Sequence, residues 1–384
     1  MTIQLKQLPP LSLYIHIPWC VRKCPYCDFN SHTVNKELPE ALYVAALTKD
    51  LEQALPLIWG RTIRTIFIGG GTPSIFSPDA INQIITTVRN LTNLSPMAEI
   101  TLEANPGTLD NDRLEGYAKH AQINRLSIGV QSFNDQHLQA LGRIHNREQV
   151  MQAIKIAKQY FPQINLDLMY ALPEQILEEV AADLETALAC DVNHISYYNL
   201  TIEPNTEFAA RPPQGMPDND MCFGMQDKVI TTLEKAGFTH YETSAYAKGN
   251  TQCLHNLNYW QFGDYLGIGA GAHSKLSFAD KIIRQVRHKH PEKYMQSVIS
   301  NEHIIENKIV TASELPFEFM LNSLRLTKGF PSALFVERTG LRLNTILEPL
   351  ELAVEKELIR IDGPMIVPTI RGQDFLNDLL LLFL

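Results

Sequence analysis

The sequence predicts an α/β fold built on a parallel sheet. Two observations carry that prediction: short β-rich runs recur through the first half of the chain, and stretches of helical periodicity lie between them. The runs are Leu13–Ile17, Thr65–Ile68, Glu99–Glu103, Arg125–Val130, Ile164–Tyr170 and His194–Leu200. The helical stretches are Leu38–Leu55, Pro78–Thr92, Asp110–His120, Arg147–Tyr160 and Gln175–Ala189. Strands alternating with helices mean βα units. Six such units fit a doubly wound sheet or an open, partial barrel, and the pattern does not choose between them. In either, functional residues belong where strands end and loops begin. The chemistry-bearing segments fall there: cysteines after the first run, a glycine triplet after the second, Glu103 at the end of the third.

After Leu200 the pattern turns irregular. Residues 202–220 are proline-rich, and Gly249–Ser274 clusters Asn, Gly, Tyr and Trp with little periodicity. Loops of that length in a compact domain are usually functional or disordered, and the aromatic content favours the former. From Thr311 helices are expected at Ser313–Leu324, Pro331–Thr339 and Asn344–Glu357. A hairpin pairing Leu358–Ile361 with Met365–Pro368 and a last helix follow, the order of a winged-helix-like α+β module. The expected domains are thus residues 1–245, a connecting region 246–310 and the winged-helix-like module 311–384. That module carries seven Lys/Arg against ten Asp/Glu, a poor match for phosphates, so packing or a lid is expected there and nucleic-acid binding is not.

The net charge of −9 likewise gives no footprint for non-specific nucleic-acid binding. The N-terminus lacks a secretory pattern, so a cytoplasmic, reducing location is expected, with cysteines free for metal binding. No apolar run reaches the roughly 20 residues a membrane span needs. The C-terminal LLLLFL is read as core or dimer packing, with contact at a membrane surface as the alternative.

Three of six cysteines, Cys20, Cys24 and Cys27, crowd into a C-x3-C-x2-C run, metal-ligand spacing rather than a disulfide framework. Three thiolates can hold three irons of a cubane and leave the fourth open. Zinc is the alternative, although it wants four ligands and usually C-x2-C pairs. Cys190, Cys222 and Cys253 are scattered and read as structural thiols. The run Gly69-Gly70-Gly71-Thr72-Pro73 lets backbone approach a ligand, or it forms a plain strand-to-helix turn with Pro73 at the helix start.

The cysteine run, placed after Tyr14-Ile-His-Ile-Pro and with Tyr26 just before its third cysteine, resembles the radical S-adenosylmethionine superfamily. That resemblance implies a partial (β/α)6 barrel holding a 4Fe-4S cluster. S-adenosylmethionine would chelate the open iron, and an electron from the cluster would cleave it to methionine and a deoxyadenosyl radical. It also implies that Gly70, Gly71 and Thr72 contact the methionine moiety and that Glu103 faces the cofactor.

The resemblance narrows further. Tyr14–Cys20, Gly69–Ser74, Gly129-Val-Gln-Ser-Phe133, Leu141-Gly-Arg-Ile-His145 and Asp167-Leu-Met-Tyr-Ala-Leu-Pro173 are similar to the oxygen-independent coproporphyrinogen III oxidase family, along nearly the whole chain. By that likeness Tyr14 and Tyr26 belong to the first S-adenosylmethionine site. Gln131, Arg143 and Asp167 match residues around a second S-adenosylmethionine, where they keep that role or line the cavity.

The family contains porphyrinogen oxidases and a heme-chaperone branch of the HemW type, and three features favour the latter. Phe29 stands where the oxidases carry a further cysteine, and thirteen residues precede Tyr14 in place of a long extension. The run His255-Asn-Leu-Asn-Tyr-Trp260 matches a motif tied to heme binding in that branch. Histidine is a standard axial ligand to heme iron, and Tyr259 and Trp260 offer flat apolar faces with polar edges. The expectation is a chaperone that binds heme near His255 and passes it to an acceptor hemoprotein of unnamed identity, with homodimerisation open. Oxidative decarboxylation of coproporphyrinogen III is the catalytic alternative, and cleavage of S-adenosylmethionine is left open.

Overall fold

The computed structural model describes residues 3–34 and 37–384. Its first half alternates strand and helix: β1 (Leu11–Ile17), α1 (Glu40–Ala54), β2 (Thr62–Gly70), α2 (Pro78–Leu91), β3 (Asn93–Ala104) and α3 (Asn111–Lys119). It continues with β4 (Arg125–Gln131), α4 (Arg147–Tyr160), β5 (Gln163–Tyr170), α5 (Leu177–Ala189) and β6 (His194–Asn199). Polar caps start α2, α3 and α4. Ser77 accepts from Ala80 N ahead of Pro78, Asp110 accepts from Arg113 N, and Asn146 with Gln149 forms a capping box.

Strands β1 to β6 pair in parallel and in sequence order. Beyond them come α6 (Asn219–Lys235), β7 (Thr239–Glu242), β8 (Ala245–Ala247), α7 (Leu254–Trp260), β9 (Asp264–Ile268), β10 (His273–Ser277), β11 (Ile282–Arg287), α8 (Pro291–Ile299) and β12 (Ile304–Ile309). The sheet order is β12-β11-β10-β9-β1-β2-β3-β4-β5-β6-β8-β7, so β12 and β7 remain as edges and the barrel stays open. This is the partial barrel that the family resemblance implies.

One expectation fails. Gly249–Ser274 is not an irregular loop, because it contains α7 and the fully buried strand β9, which pairs in parallel with β1. The sequence hides β9 because its Gly267 is packed so closely that a Cβ there would meet the His273 carbonyl oxygen at 2.1 Å. Glycine lowers the β signal at the very place where backbones must approach.

The C-terminal segment holds α9 (Leu315–Ser323), β13 (Phe330–Pro331), α10 (Ser332–Thr339), α11 (Leu347–Glu355), β14 (Ile359–Asp362) and β15 (Met365–Pro368), then two short helices. The hairpin turns through Gly363 at φ +56°, the first of two turn residues, where glycine is favoured. Leu379, Leu380 and Phe383 of the terminal apolar run belong to one core cluster with Phe319, Phe335, Ile3 and Phe262, while Leu381 and Leu384 stay exposed. Among the described residues no helix is long and apolar enough to cross a membrane.

Period-two alternation along the parallel strands positions the site. Leu102, Leu126, Ile128, Leu166, Leu168 and Ile195 enter the core beneath the helices. Their neighbours Thr101, Glu103, Ser127, Asn165, Asp167, His194, Ser196 and Tyr198 line an interior cavity. A polar interior face inside an apolar shell is expensive unless it holds something. The sheet extension is fastened to the barrel by a buried ion cluster. Asp50 of α1 accepts from Arg287 Nε at 2.7 Å, Tyr294 Oη at 2.8 Å, His303 Nε2 at 3.0 Å and Gly269 N at 3.1 Å.

Candidate functional site

The cysteine loop leaves the carboxyl end of β1. Trp19–Cys20 forms a short parallel pairing with His32–Thr33, and Cys27 N donates to the Cys24 carbonyl at 3.1 Å, which folds the loop back on itself. Lys23 Nζ donates to the carbonyls of Phe29 and Ser31, at 3.3 and 3.4 Å. Cys20, Cys24 and Cys27 all line one outer cavity of about 390 Å³. Three thiol donors around a cavity suit the corners of a cubane better than one zinc. Burial raises the thiols of Cys20 and Cys27, so loading metal there must displace protons. Phe29, at the position of the oxidase cysteine, also borders this cavity.

The glycine run is zipped to that loop. Gly71 N donates to Ile17 O and Thr72 N to Trp19 O, both at 2.7 Å. Here the structure supplies a reason for the glycines that ligand approach alone does not. Gly70 sits at φ +118°, and a Cβ on it would meet the His16 ring at 2.6 Å. On Gly71 it would meet the Trp19 carbonyl oxygen at 2.4 Å. Gly70, Gly71 and Thr72 nevertheless line the outer cavity with the cysteines. Gly70 N donates to Glu103 Oε2 at 3.1 Å. Burial, reinforced by the nearby Asp167 charge and opposed by that hydrogen bond, pushes the Glu103 carboxyl up to about 8.

Tyr26, Gln131, Arg143 and Asp167 line the same outer cavity. Arg143 donates from Nη2 to Gly129 O at 2.8 Å, and its Nη1 lies 3.6 Å from Cys24 Sγ. Gln131 holds a left-handed φ of +69° at the end of β4. Asp167 accepts from Ser127 Oγ at 2.7 Å and Asn165 Nδ2 at 2.9 Å, yet burial still raises its carboxyl.

Tyr14 and His255 lie deeper, in an inner cavity of about 270 Å³ that shares Glu103, Ser127, Asp167 and Tyr198 with the outer one. Tyr14 shares the inner cavity with Glu103, while Tyr26, Gly70, Gly71 and Thr72 line the outer one. Its hydroxyl donates to His16 Nδ1 at 2.9 Å, because His16 Nε2 donates to the Asn30 carbonyl at 2.8 Å. That histidine is the one beneath Gly70, so Tyr14 touches the glycine loop through it. The two adjoining cavities together reach the size of ligand pockets, about 300–1,000 Å³.

Helix α7 crosses the inner face of the barrel, carrying the His255–Trp260 run. His255 is 2% exposed and packs against Phe67, ring centroids 5.1 Å apart. Burial drives its imidazole down to about 3, so it is neutral. Its Nε2 and the Trp260 Nε1 are buried without hydrogen-bond partners, and both residues border the inner cavity. Tyr259 stacks on Tyr265 at 4.2 Å, and Arg325 lies 4.4 Å over the Trp260 ring. Asn258 Nδ2 donates to Ser12 Oγ at 2.9 Å and Asp264 O at 2.8 Å, tying α7 to β1 and β9.

The sequence reading missed Ser12, Thr65, Glu99 and Arg125, which surround His255 from β1 to β4. Their only signal is a polar residue at alternate positions of otherwise apolar strands.

The Radical SAM superfamily matches residues 14–187 and the HemN C-terminal domain matches residues 310–375. The heme chaperone HemW of Haemophilus influenzae is 46% identical, over 99% of this chain and 99% of its own. That of Escherichia coli is 46% identical over 98% and 99%, and that of Bacillus subtilis 33% over 97% and 99%. The solved structure of E. coli coproporphyrinogen III oxidase (HemN), a radical SAM enzyme, superposes with a TM-score of 0.83 at 22% identity, over 98% of this chain and 90% of its own, a likeness of fold. With near-complete, two-way coverage at this identity, the chain belongs to the HemW heme chaperone family within the radical S-adenosylmethionine superfamily.

Proposed function

We propose that this protein binds heme inside the barrel with His255 as an iron ligand, and that it delivers the heme to an acceptor hemoprotein. The carrying observation is the bare, buried Nε2 of His255 at the wall of a cavity flanked by Tyr259 and Trp260. A neutral imidazole without a partner is costly in an apolar setting and is what a metal takes up. HemW relatives, named as heme chaperones, carry the same reading to this chain.

Cys20, Cys24 and Cys27 are the proposed ligands of a 4Fe-4S cluster, with S-adenosylmethionine at Gly70, Gly71, Thr72 and Glu103. When bound, that pair supplies one-electron chemistry. Tyr26, Gln131, Arg143 and Asp167 shape the rest of the outer cavity, whether or not a second S-adenosylmethionine enters. In this reading residues 1–245 form the βα units, 246–310 extend the same sheet beside β1 and present His255, and 311–384 back α7 through Arg325.

Anaerobic reconstitution with iron and sulfide, followed by heme titration and transfer to an apo-hemoprotein, tests the reading. Stoichiometric heme binding that weakens in His255→Ala, with iron–sulfur content unchanged, is the expected result. Multiple turnovers of coproporphyrinogen III to protoporphyrinogen IX would install the oxidase reading instead, and absence of heme binding would remove the chaperone.

A further inference from the structure

We propose that Thr65 sets the tautomer of His255, so that the ring faces the inner cavity with an unprotonated Nε2, and that Glu99 holds the turn carrying it. Both are positioning residues, and the proposal rests on the reading of His255 as an iron ligand.

Thr65 has one hydroxyl hydrogen, and it donates to Ser12 Oγ at 2.7 Å. Ser12 Oγ also accepts from Asn258 Nδ2, so the chain of donors runs toward Ser12. Thr65 therefore presents a lone pair to His255, whose Nδ1 lies 2.9 Å from it. Nδ1–H donates to Thr65, and a neutral ring has no second proton for Nε2. With Thr65 donating to Ser12, the other tautomer would oppose two lone pairs at Thr65, and in any case it would bury an N–H at Nε2, where the structure offers no acceptor.

The backbone is held as deliberately. Cys253, which precedes α7, provides no side-chain cap to the helix. Glu99 of β3 reaches across instead, accepting from His255 N at 3.0 Å and Leu254 N at 3.2 Å, and it lies 3.6 Å from Cys253 Sγ. Arg125 Nη1 sits 3.7 Å from the same carboxylate, a cation beside it in its buried place. One strand residue fixes the ring and another fixes the turn.

The identity of the Nδ1 partner bears on the task. Metal-bound histidines commonly donate that hydrogen to a carboxylate, which raises ligand basicity. A neutral hydroxyl acceptor leaves the imidazole a weaker donor to iron. A protein that must release its heme gains from that weakness, whereas a permanent heme enzyme does not.

The test uses the full chain, first without heme. Nitrogen-15 NMR of labelled histidine should show His255 protonated at Nδ1 and bare at Nε2 in the wild type and in Thr65→Ser, which keeps the hydroxyl. Thr65→Val should raise the Nε2–H population. Heme titrations followed at the Soret band should then show Thr65→Val weakened by roughly 10–100-fold, the usual cost of losing an outer partner of a metal ligand, and Thr65→Ser near wild type. An Nε2–H signal in the wild type overturns the tautomer, whatever heme does, and this measurement stands if the valine variant fails to fold. A changed tautomer with unchanged heme affinity overturns the link to binding. If His255→Ala binds heme like the wild type, the ligand reading fails while the tautomer result stands separately.

Discussion

Arg143 brings its Nη1 to 3.6 Å from Cys24 Sγ while Nη2 is anchored on the Gly129 carbonyl at 2.8 Å. A fixed cation beside a cluster thiolate favours the reduced, more negative cluster. Arg143→Met should therefore lower the reduction potential by tens of millivolts in an anaerobic redox titration. The cluster should survive, because Arg143 supplies no ligand. An unchanged potential would mean that Arg143 serves only the cavity wall.

Cys20→Ala, Cys24→Ala and Cys27→Ala should each abolish a four-iron cluster, since two thiolates do not retain three irons of a cubane. Iron and sulfide analysis after anaerobic reconstitution decides it. Phe29→Ala borders the same cavity and should leave iron and sulfide at wild-type levels. A full cluster in any single cysteine variant would remove that ligand from the set.

Gly71→Val should damage the cluster itself and not cofactor binding alone. A Cβ on Gly71 collides with the Trp19 carbonyl oxygen, one residue before Cys20. Two backbone hydrogen bonds of 2.7 Å hold the glycine run against the cysteine strand, so relief of that collision moves the first ligand. Iron content of the reconstituted variant should fall together with S-adenosylmethionine affinity. Full iron content with lost affinity would restore ligand approach as the sole reason for the glycine.

Much of this was legible before the fold. The alternating runs locate β1 to β6 within a few residues, since each strand is apolar on its helix-facing side. The site was legible only where a motif interrupts that pattern, as at Cys20–Cys27, Gly69–Pro73 and His255–Trp260. Thr65, Glu99 and Arg125 sit inside strands, where a polar residue at alternate positions looks like an ordinary solvent face. Only the curvature of the partial barrel turns that face inward. Strand β9 was hidden for a different reason: its neighbours are distant in sequence, and Gly267 removes a side chain where backbones meet. Tyr14 was placed beside the first cofactor by resemblance, and in the structure its hydroxyl donates to His16, the ring beneath Gly70.

Binding of S-adenosylmethionine should release protons near neutral pH. Glu103 is pushed up to about 8 by burial and by Asp167, so in the empty site it is largely protonated at pH 7. A sulfonium and an ammonium arriving nearby favour the carboxylate and lower that value, and the proton leaves. Calorimetry at pH 7 in buffers of different ionisation enthalpy should show a release approaching about one proton. The release should fade above pH 8, where Glu103 is already ionised, and vanish in Glu103→Gln. A release that persists in Glu103→Gln would place the titrating group elsewhere.

The last prediction concerns the ion cluster that ties the sheet extension to the barrel. Asp50 and Arg287 are both fully buried, 2.7 Å apart, with Tyr294, His303 and the Gly269 amide as the carboxylate's other partners. Burial alone would raise the Asp50 carboxyl, but Arg287 and His303 outweigh it and hold it at about 2. A depressed carboxyl contributes stability that is fully present above its unfolded value of about 4 and is lost as pH falls toward 2. Asp50→Asn removes the charge and leaves Arg287 buried and unpaired, which costs about 3–5 kcal/mol. Thermal unfolding of the full chain at pH 7 should show the variant well below the wild type. The gap should narrow as the pH falls from about 4 to 2, because protonation there strips the wild type of the same charge. A gap that stays constant over that window would mean that Asp50 stabilises by shape and hydrogen bonding, with its charge contributing nothing.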